Sequence, residues 1–305
     1  MFLKYSITAG AILLAASQSA GAVTINFDYS DDGGFFTGAN SSRQSILNDT
    51  GNLLGNRLTD SLAAITSSGV NHFDAVFNRP DNGVLTTLSN FNVAADTLTV
   101  FAGGRALGGS LGVGGPGGYN ISGTQSFVDT VPQRSQLGAT TGPSATDFAP
   151  WGGQITFNSD SSWYFDSNPS TTEAFSGNDF YSVALHEIGH VLGIGTADSW
   201  NDKVSGGNFT GVYSVAAFGG NVPLASDHAH WAESTKSTVM GAVQEALMDP
   251  TLTTGARKLP TQLDFAALKD VGWQVTAVPL PSAVWLFGSA LIAFAGLRRK
   301  QSITA

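Results

Sequence analysis

A chain of 305 residues, 42% of them hydrophobic, is long enough for one large domain or two small ones around a sizeable core. Only 12% of its residues are charged, against roughly 25% in an average domain, and its 37 Gly sit among many Ser, Thr, Asn and Asp, the mix of a loop-rich exported protein. A formal net charge of −9 excludes the clustered Lys and Arg that nucleic-acid binding needs, and the absence of Cys excludes disulfides and thiolate zinc sites, so any metal must be held by His, Asp or Glu.

The chain opens with MFLKYSITAGAILLAASQSAGA. Lys4, the apolar run Ile7 to Ala16 and the small-residue site Ala20-Gly21-Ala22 predict a secretory signal peptide over 1–22. That apolar run is too short to span a bilayer well. The mature chain then starts near Val23. Val23 to Tyr29 alternates as a strand, and Asp31-Asp32-Gly33-Gly34 breaks it. From Ser42 to Ile65, residues Ile46, Leu53, Leu54, Leu58, Leu62 and Ile65 fall on one helical face, with Ser41 or Ser42 as cap and Gly51 and Gly55 as weak points. His72 to Phe77 and Asp96 to Ala102 read as strands, and His72, lacking partners, as a strand or surface residue. Gly103 to Gly123 is very glycine-rich. With no Gly-Lys-Ser/Thr ending it is not a phosphate loop, and it is expected to form a flexible surface loop. Gln125 to Pro150 is polar and expected to be irregular; Gln154 to Asn158 is a strand.

The next stretch, FYSVALHEIGHVLGIG from Phe180 to Gly195, carries the chemistry. It is expected to be a helix capped at Asn178 or Asp179, running to about Leu192, and ended by Gly193 and Gly195. His186 and His190, four apart, then face the same way and can grip one Zn²⁺, while Glu187 can reach a water on that metal as general base. With five His and four Glu in the chain, the chance of such a match is on the order of 10⁻³. Beyond it, Thr196 to Asp227 reads as irregular, Leu247-Met248-Asp249-Pro250 as a turn, and Thr261 to Val271 as a helix with Thr261 and Asp264 placed as a capping box; Trp273 follows as a core anchor.

HEIGHVLG, with the strand Gly-Gly-Gln-Ile-Thr-Phe-Asn-Ser before it, resembles the metzincin family of zinc endopeptidases and its matrixin-like members. The resemblance implies an α/β (α+β) zincin-like domain over 23–276: a mixed twisted sheet with the active-site helix above the cleft, and a lower part carrying a third ligand and a methionine turn. The commonest pattern puts that ligand where this chain has Thr196, a poor zinc ligand. Asp198, His228 and His230 are the alternatives. The leishmanolysin-like branch takes a distant His followed by Trp and then a Leu-Met turn. His230-Trp231 and Leu247-Met248 match it, which implies His230 as ligand and Met248 as the apolar floor, with Met240 a weaker candidate. His228 is then a group behind the ligands or an exposed side chain. No Tyr follows Tyr213 to assist catalysis, and without Cys there is no cysteine switch.

From Val278 to Lys300 the chain reads VPLPSAVWLFGSALIAFAGLRRK. Its apolar run, Pro281 to Leu297, makes a short membrane-spanning helix, and the basic end keeps that terminus cytoplasmic. This tail resembles the PEP-CTERM sorting signal in its VPLP form. The resemblance implies transient anchoring in the inner membrane over 277–305, removal by an exosortase, and a destination in the periplasm, cell surface or extracellular matrix of a Gram-negative bacterium. The function expected is a zinc metalloendopeptidase acting on protein or peptide substrates. The alternatives are a non-catalytic matrix or surface protein on a degenerate zincin scaffold, and a zinc hydrolase for non-peptide material. Ca²⁺ in the Asp- and Gly-rich loops is a further expectation, though no EF-hand spacing occurs.

Overall fold

The computed structural model describes residues 22–134, 151–166, 168 and 173–276. The leader, apart from Ala22, and the sorting segment lie outside the described residues, as do residues 135–150, 167 and 169–172. Among the described residues no helix is long and apolar enough to cross a membrane.

The N-terminal part builds a mixed sheet. β1 (Thr24–Asp28) lies parallel to β4 (Thr97–Arg105), with Phe27 opposite Val100. β4 lies parallel to β7 (Gly152–Asn158), with Ala102 opposite Ile155. β5 (Gly112–Pro116) closes the edge antiparallel to β7, with Gly114 opposite Ile155. The apolar residues of β4 and β7 are buried on both faces, as a sheet covered on two sides requires.

On one face lie α1 (Arg43–Gly55) and α3 (Phe180–Val191), and the main core forms between them and the sheet. On the other, β2 (His72–Asn78), β3 (Leu85–Leu88) and β6 (Gly118–Ser122) form a second antiparallel sheet, ordered β3-β2-β6. With α2 (Gln125–Gln133) in the same region, Phe73, Phe77, Phe101 and Trp151 form a second core.

Several expectations are corrected. The helix expected over Ser42–Ile65 ends at Gly55, and Ser42 caps it without a side-chain hydrogen bond. A Cβ at Gly55 would lie 2.3 Å from the Val23 carbonyl oxygen, so this glycine is where the helix crosses β1. Leu58, Leu62 and Ile65 are still buried, but from extended backbone: Leu58 bridges Val275 and Ile65 bridges Val93. The expected loop Gly103–Gly123 contains β5 and β6, and the irregular stretch after it begins as α2. Glycine-rich strands have no side-chain alternation to reveal them.

The lower part begins beyond α3. Thr196 to Asp227, expected to be irregular, holds α4 (Asp198–Asn201), α5 (Val212–Phe218) and a small sheet of β10 (Val204–Ser205), β11 (Asn208–Phe209) and β12 (Val222–Pro223); the short pair β8 (Trp163–Tyr164) and β9 (Asn178–Asp179) precedes α3. Its elements are too short for periodicity to show. A hairpin, β13 (Lys236–Val239) and β14 (Ala242–Glu245), leads to the Met248 turn, with Met240 73% exposed at its tip. α6 (Gln262–Asp270) starts with the expected capping box of Thr261 and Asp264. Trp273 is buried, its indole N–H donating to the Leu192 carbonyl at 2.8 Å.

Candidate metal centre

α3 starts where its sequence suggests. The Asp179 carboxylate accepts the Ser182 N–H, and Arg257 pairs with Asp179 at 2.8 Å and with Asp166 at 2.7 Å, fixing the helix start to the lower part. At the other end Gly193 (φ +103) and Gly195 (φ +75) take the left-handed backbone that lets the chain turn away from the helix. Thr196 is not beside the histidines as a ligand. Its hydroxyl donates to the His190 carbonyl at 2.7 Å and closes the helix end.

His186, His190 and His230 converge. Their Nε2 atoms are 3.1 Å (186–190), 3.1 Å (190–230) and 3.2 Å (186–230) apart. Each Nδ1 faces an atom that only accepts: the Leu247 carbonyl at 2.9 Å, the Ile194 carbonyl at 2.8 Å and the Asp227 carboxylate at 2.8 Å. Each Nδ1 must therefore carry the proton, and each Nε2 offers a bare lone pair. Protonating the cluster is opposed as well. Burial, then the charge of neighbouring imidazoles, holds His186 well below its ordinary value, and burial followed by His230 holds His190 down at about 4.

Three lone pairs aimed at one another, with no donor between them, fit a cation. Tetrahedral zinc with bonds of about 2.05 Å separates two ligand nitrogens by about 3.3 Å, close to the spacing found. Three neutral nitrogens with no thiolate suit Zn²⁺ with one position left open.

Glu187 stands beside them, 5% exposed, and the Gly114 N–H bonds to it. Burial pushes its carboxyl up to about 8, against that hydrogen bond. A bound cation nearby would draw the value down. Met248 is fully buried beneath α3, where its Sδ would lie 2.6 Å from a Cβ on Gly189, between the two helical histidines. The other candidates are elsewhere. Asp198 is exposed on α4, and His228 is exposed with φ +59, its carbonyl accepting the Trp200 indole N–H at 2.8 Å. His72 is an exposed strand residue bonded to Asn90. Among the described residues the three histidines are the one group able to hold a metal, and calcium gains no support there.

The histidines and Glu187 open onto a cleft of about 680 Å³. Its upper rim is Gly109 to Gly114 and its lower rim runs through Leu247 and Asp249 to Leu252. Residues 133–202 match the family model of the matrixins, peptidase family M10. Residues 277–300 match the PEP-CTERM protein-sorting motif. The chain joins a segment similar to the matrixins to one similar to the PEP-CTERM motif. The matrixin match supports a metallopeptidase and implies zinc dependence. The PEP-CTERM match implies recognition by an exosortase and export to the cell envelope or surface in Gram-negative bacteria. No curated protein and no solved structure matches the chain. The matrixin match ends at Asp202, before His230, Met248 and Asp264.

The sequence gives no sign of three further contributors. Gly112 and Gly114 hold β5 against Glu187, Asp227 tethers His230, and Asp264 binds the Met248 turn. The carboxylate of Asp264 accepts from Leu247 N–H, Met248 N–H and the Trp231 indole N–H, as well as from Thr261. The capping box is the only part of this that spacing reveals.

Proposed function

We propose that the chain is a secreted zinc endopeptidase, with His186, His190 and His230 as metal ligands and Glu187 as general base. The observation that carries this is the set of three bare Nε2 atoms within 3.2 Å of one another beside a buried carboxylate. Zinc bound there supplies a Lewis acid that makes water a nucleophile near neutral pH. Glu187 accepts the proton of the attacking water and passes it to the departing amine. Burial raises the proton affinity of its carboxyl and a bound cation would lower it, so that the two together suit it to take up a proton and release it again. Met248 fills the space under the helix, and the cleft between Gly109–Gly114 and Leu247–Leu252 receives the peptide.

In this reading residues 1–22 are the leader and 23–276 the catalytic unit. Residues 277–305 anchor the chain in the inner membrane until an exosortase removes them, and the product acts in the periplasm, at the surface or in the matrix. Thr196 in the place of the usual ligand is the feature that would suit a degenerate, inactive scaffold; in this reading His230 takes that ligand's role. Zinc analysis and casein or gelatin hydrolysis test the proposal. The chain should bind one zinc and cleave, while Glu187→Gln should keep the zinc and lose hydrolysis. A chain without stoichiometric zinc, or full activity in Glu187→Gln, would overturn it.

A further inference from the structure

We propose that Asp227 is the positioning residue of the third ligand: it sets the tautomer and direction of the His230 ring. This inference rests on the zinc reading above.

The three histidines are braced unequally. His186 and His190 stand on one helix, and their Nδ1–H groups end on the carbonyls of Leu247 and Ile194, both buried residues. His230 has no helix behind it. It ends a turn from Ala225; its ring packs against the His186 and His190 imidazoles, and on the Nδ1 side it is held by Asp227, Nδ1 to Oδ2 at 2.8 Å. Asp227 is in turn held in place. Its Oδ1 accepts the Ala229 N–H at 2.9 Å, the His228 N–H donates to Ala225 O at 3.0 Å, and the Ala225 N–H donates to His230 O at 3.0 Å. Behind the turn, the Trp231 N–H donates to Met248 O at 3.0 Å, so the backbone of the ligand is tied to the methionine turn, while the Nδ1 side of its ring is held by Asp227.

Two consequences follow from the chemistry. A carboxylate only accepts, so it forces the proton onto Nδ1 and leaves the Nε2 lone pair for the metal. It also carries a full negative charge, which the carbonyls behind His186 and His190 lack. That charge polarises the His230 ring toward the side its Nε2 presents to a metal. The tether matters more because the turn faces solvent: the Asp227 side chain is 51% exposed and that of His230 20%. Released from Asp227, the ring gains rotamers that miss the metal.

The test measures zinc affinity of the full chain by competition with a chromophoric chelator, together with the visible spectrum of the Co²⁺-substituted protein. Asp227→Ala should weaken zinc binding by ~10–100-fold and change the Co²⁺ spectrum. Asp227→Asn keeps an acceptor without the charge and should recover part of that loss. His228→Asn, which suits the left-handed backbone of the same turn, should bind as the unsubstituted chain does. Wild-type affinity and an unchanged Co²⁺ spectrum in Asp227→Ala would overturn the inference, as would an equal loss in His228→Asn. An unsubstituted chain that takes up no zinc overturns the zinc reading itself, and this inference with it.

Discussion

Gly112 on β5 lies so close to Glu187 on α3 that a Cβ on the glycine would stand 2.6 Å from Oε1 of the carboxylate. Gly114, two residues on along the same face, would place its Cβ 2.5 Å from the Glu187 carbonyl oxygen. The strand edge and the helix are in backbone contact here, and Glu187, the proposed general base, is wedged between them. Gly112→Ala should push the carboxylate aside. A misplacement near 1 Å costs on the order of 10²-fold in rate, so peptide hydrolysis should fall by about that factor while zinc content stays at one per chain. Loss of the zinc together with the activity would show that the glycine serves the fold and not the base.

Asp264 is buried and binds the Met248 turn, Trp231 and the start of α6 at once. Asp264→Ala leaves several buried N–H groups without an acceptor, each costing about 1–3 kcal/mol. Urea denaturation should show a loss of at least ~3 kcal/mol. Zinc affinity should drop too, because His230 and the Leu247 carbonyl are fixed through the same residues. A destabilised chain with unchanged zinc affinity would separate the two effects.

Asp60 gives a pH signature remote from the metal. It is 1% exposed, and burial pushes its carboxyl from 3.8 up to about 6, opposed by the Gln274 N–H that it accepts. The folded chain thus keeps a proton that the unfolded chain releases between about pH 4 and pH 6, so stability falls as pH rises through that window. Asp60→Asn keeps an acceptor and removes the charge. It should be more stable than the wild type by about 1–3 kcal/mol at about pH 8, and the gap should close at about pH 4. A gap independent of pH in urea denaturation would rule out the titration.

Thr196 separates the common ligand pattern from this chain. Its hydroxyl serves the helix end, so Thr196→Ala should cost about 0.5–1.5 kcal/mol of stability. Zinc affinity should stay within a few fold, whereas His230→Ala should abolish tight binding. Equilibrium dialysis of the two variants makes the comparison directly.

The parts of this protein legible in sequence were those whose signal is local. The pair His186 and His190 with Glu187 is fixed by the helical repeat, and Asp179 and the glycines at 193 and 195 mark where that helix starts and stops. The Thr261–Asp264 box marks α6 in the same way. Local signals failed where packing decides: the helix from Ser42 ends at Gly55, although the apolar spacing runs on to Ile65, and Leu58 and Ile65 are buried instead through bridges to Val275 and Val93. The glycine-rich run after Gly103 looked like a loop because its role as a strand lies in what it lacks. Side chains on Gly112 and Gly114 would separate β5 from α3.

By itself, then, the sequence determined the helix and the common face of His186 and His190, the proposed ligands, with the proposed base Glu187 beside them, since an i, i+4 spacing on one rigid element sets its own geometry. His230 and Met248 came from likeness to a known arrangement, without any spacing rule to require them. Only the tertiary structure brought His230 Nε2 to within 3.2 Å of the helical pair and put Asp227 behind it. Forty residues separate His190 from His230, and their meeting depends on long-range contacts such as Trp231 to Met248 and Asp264 to the methionine turn. A local pattern carries no information about such contacts, because the energy that holds them is shared among residues far apart in the chain.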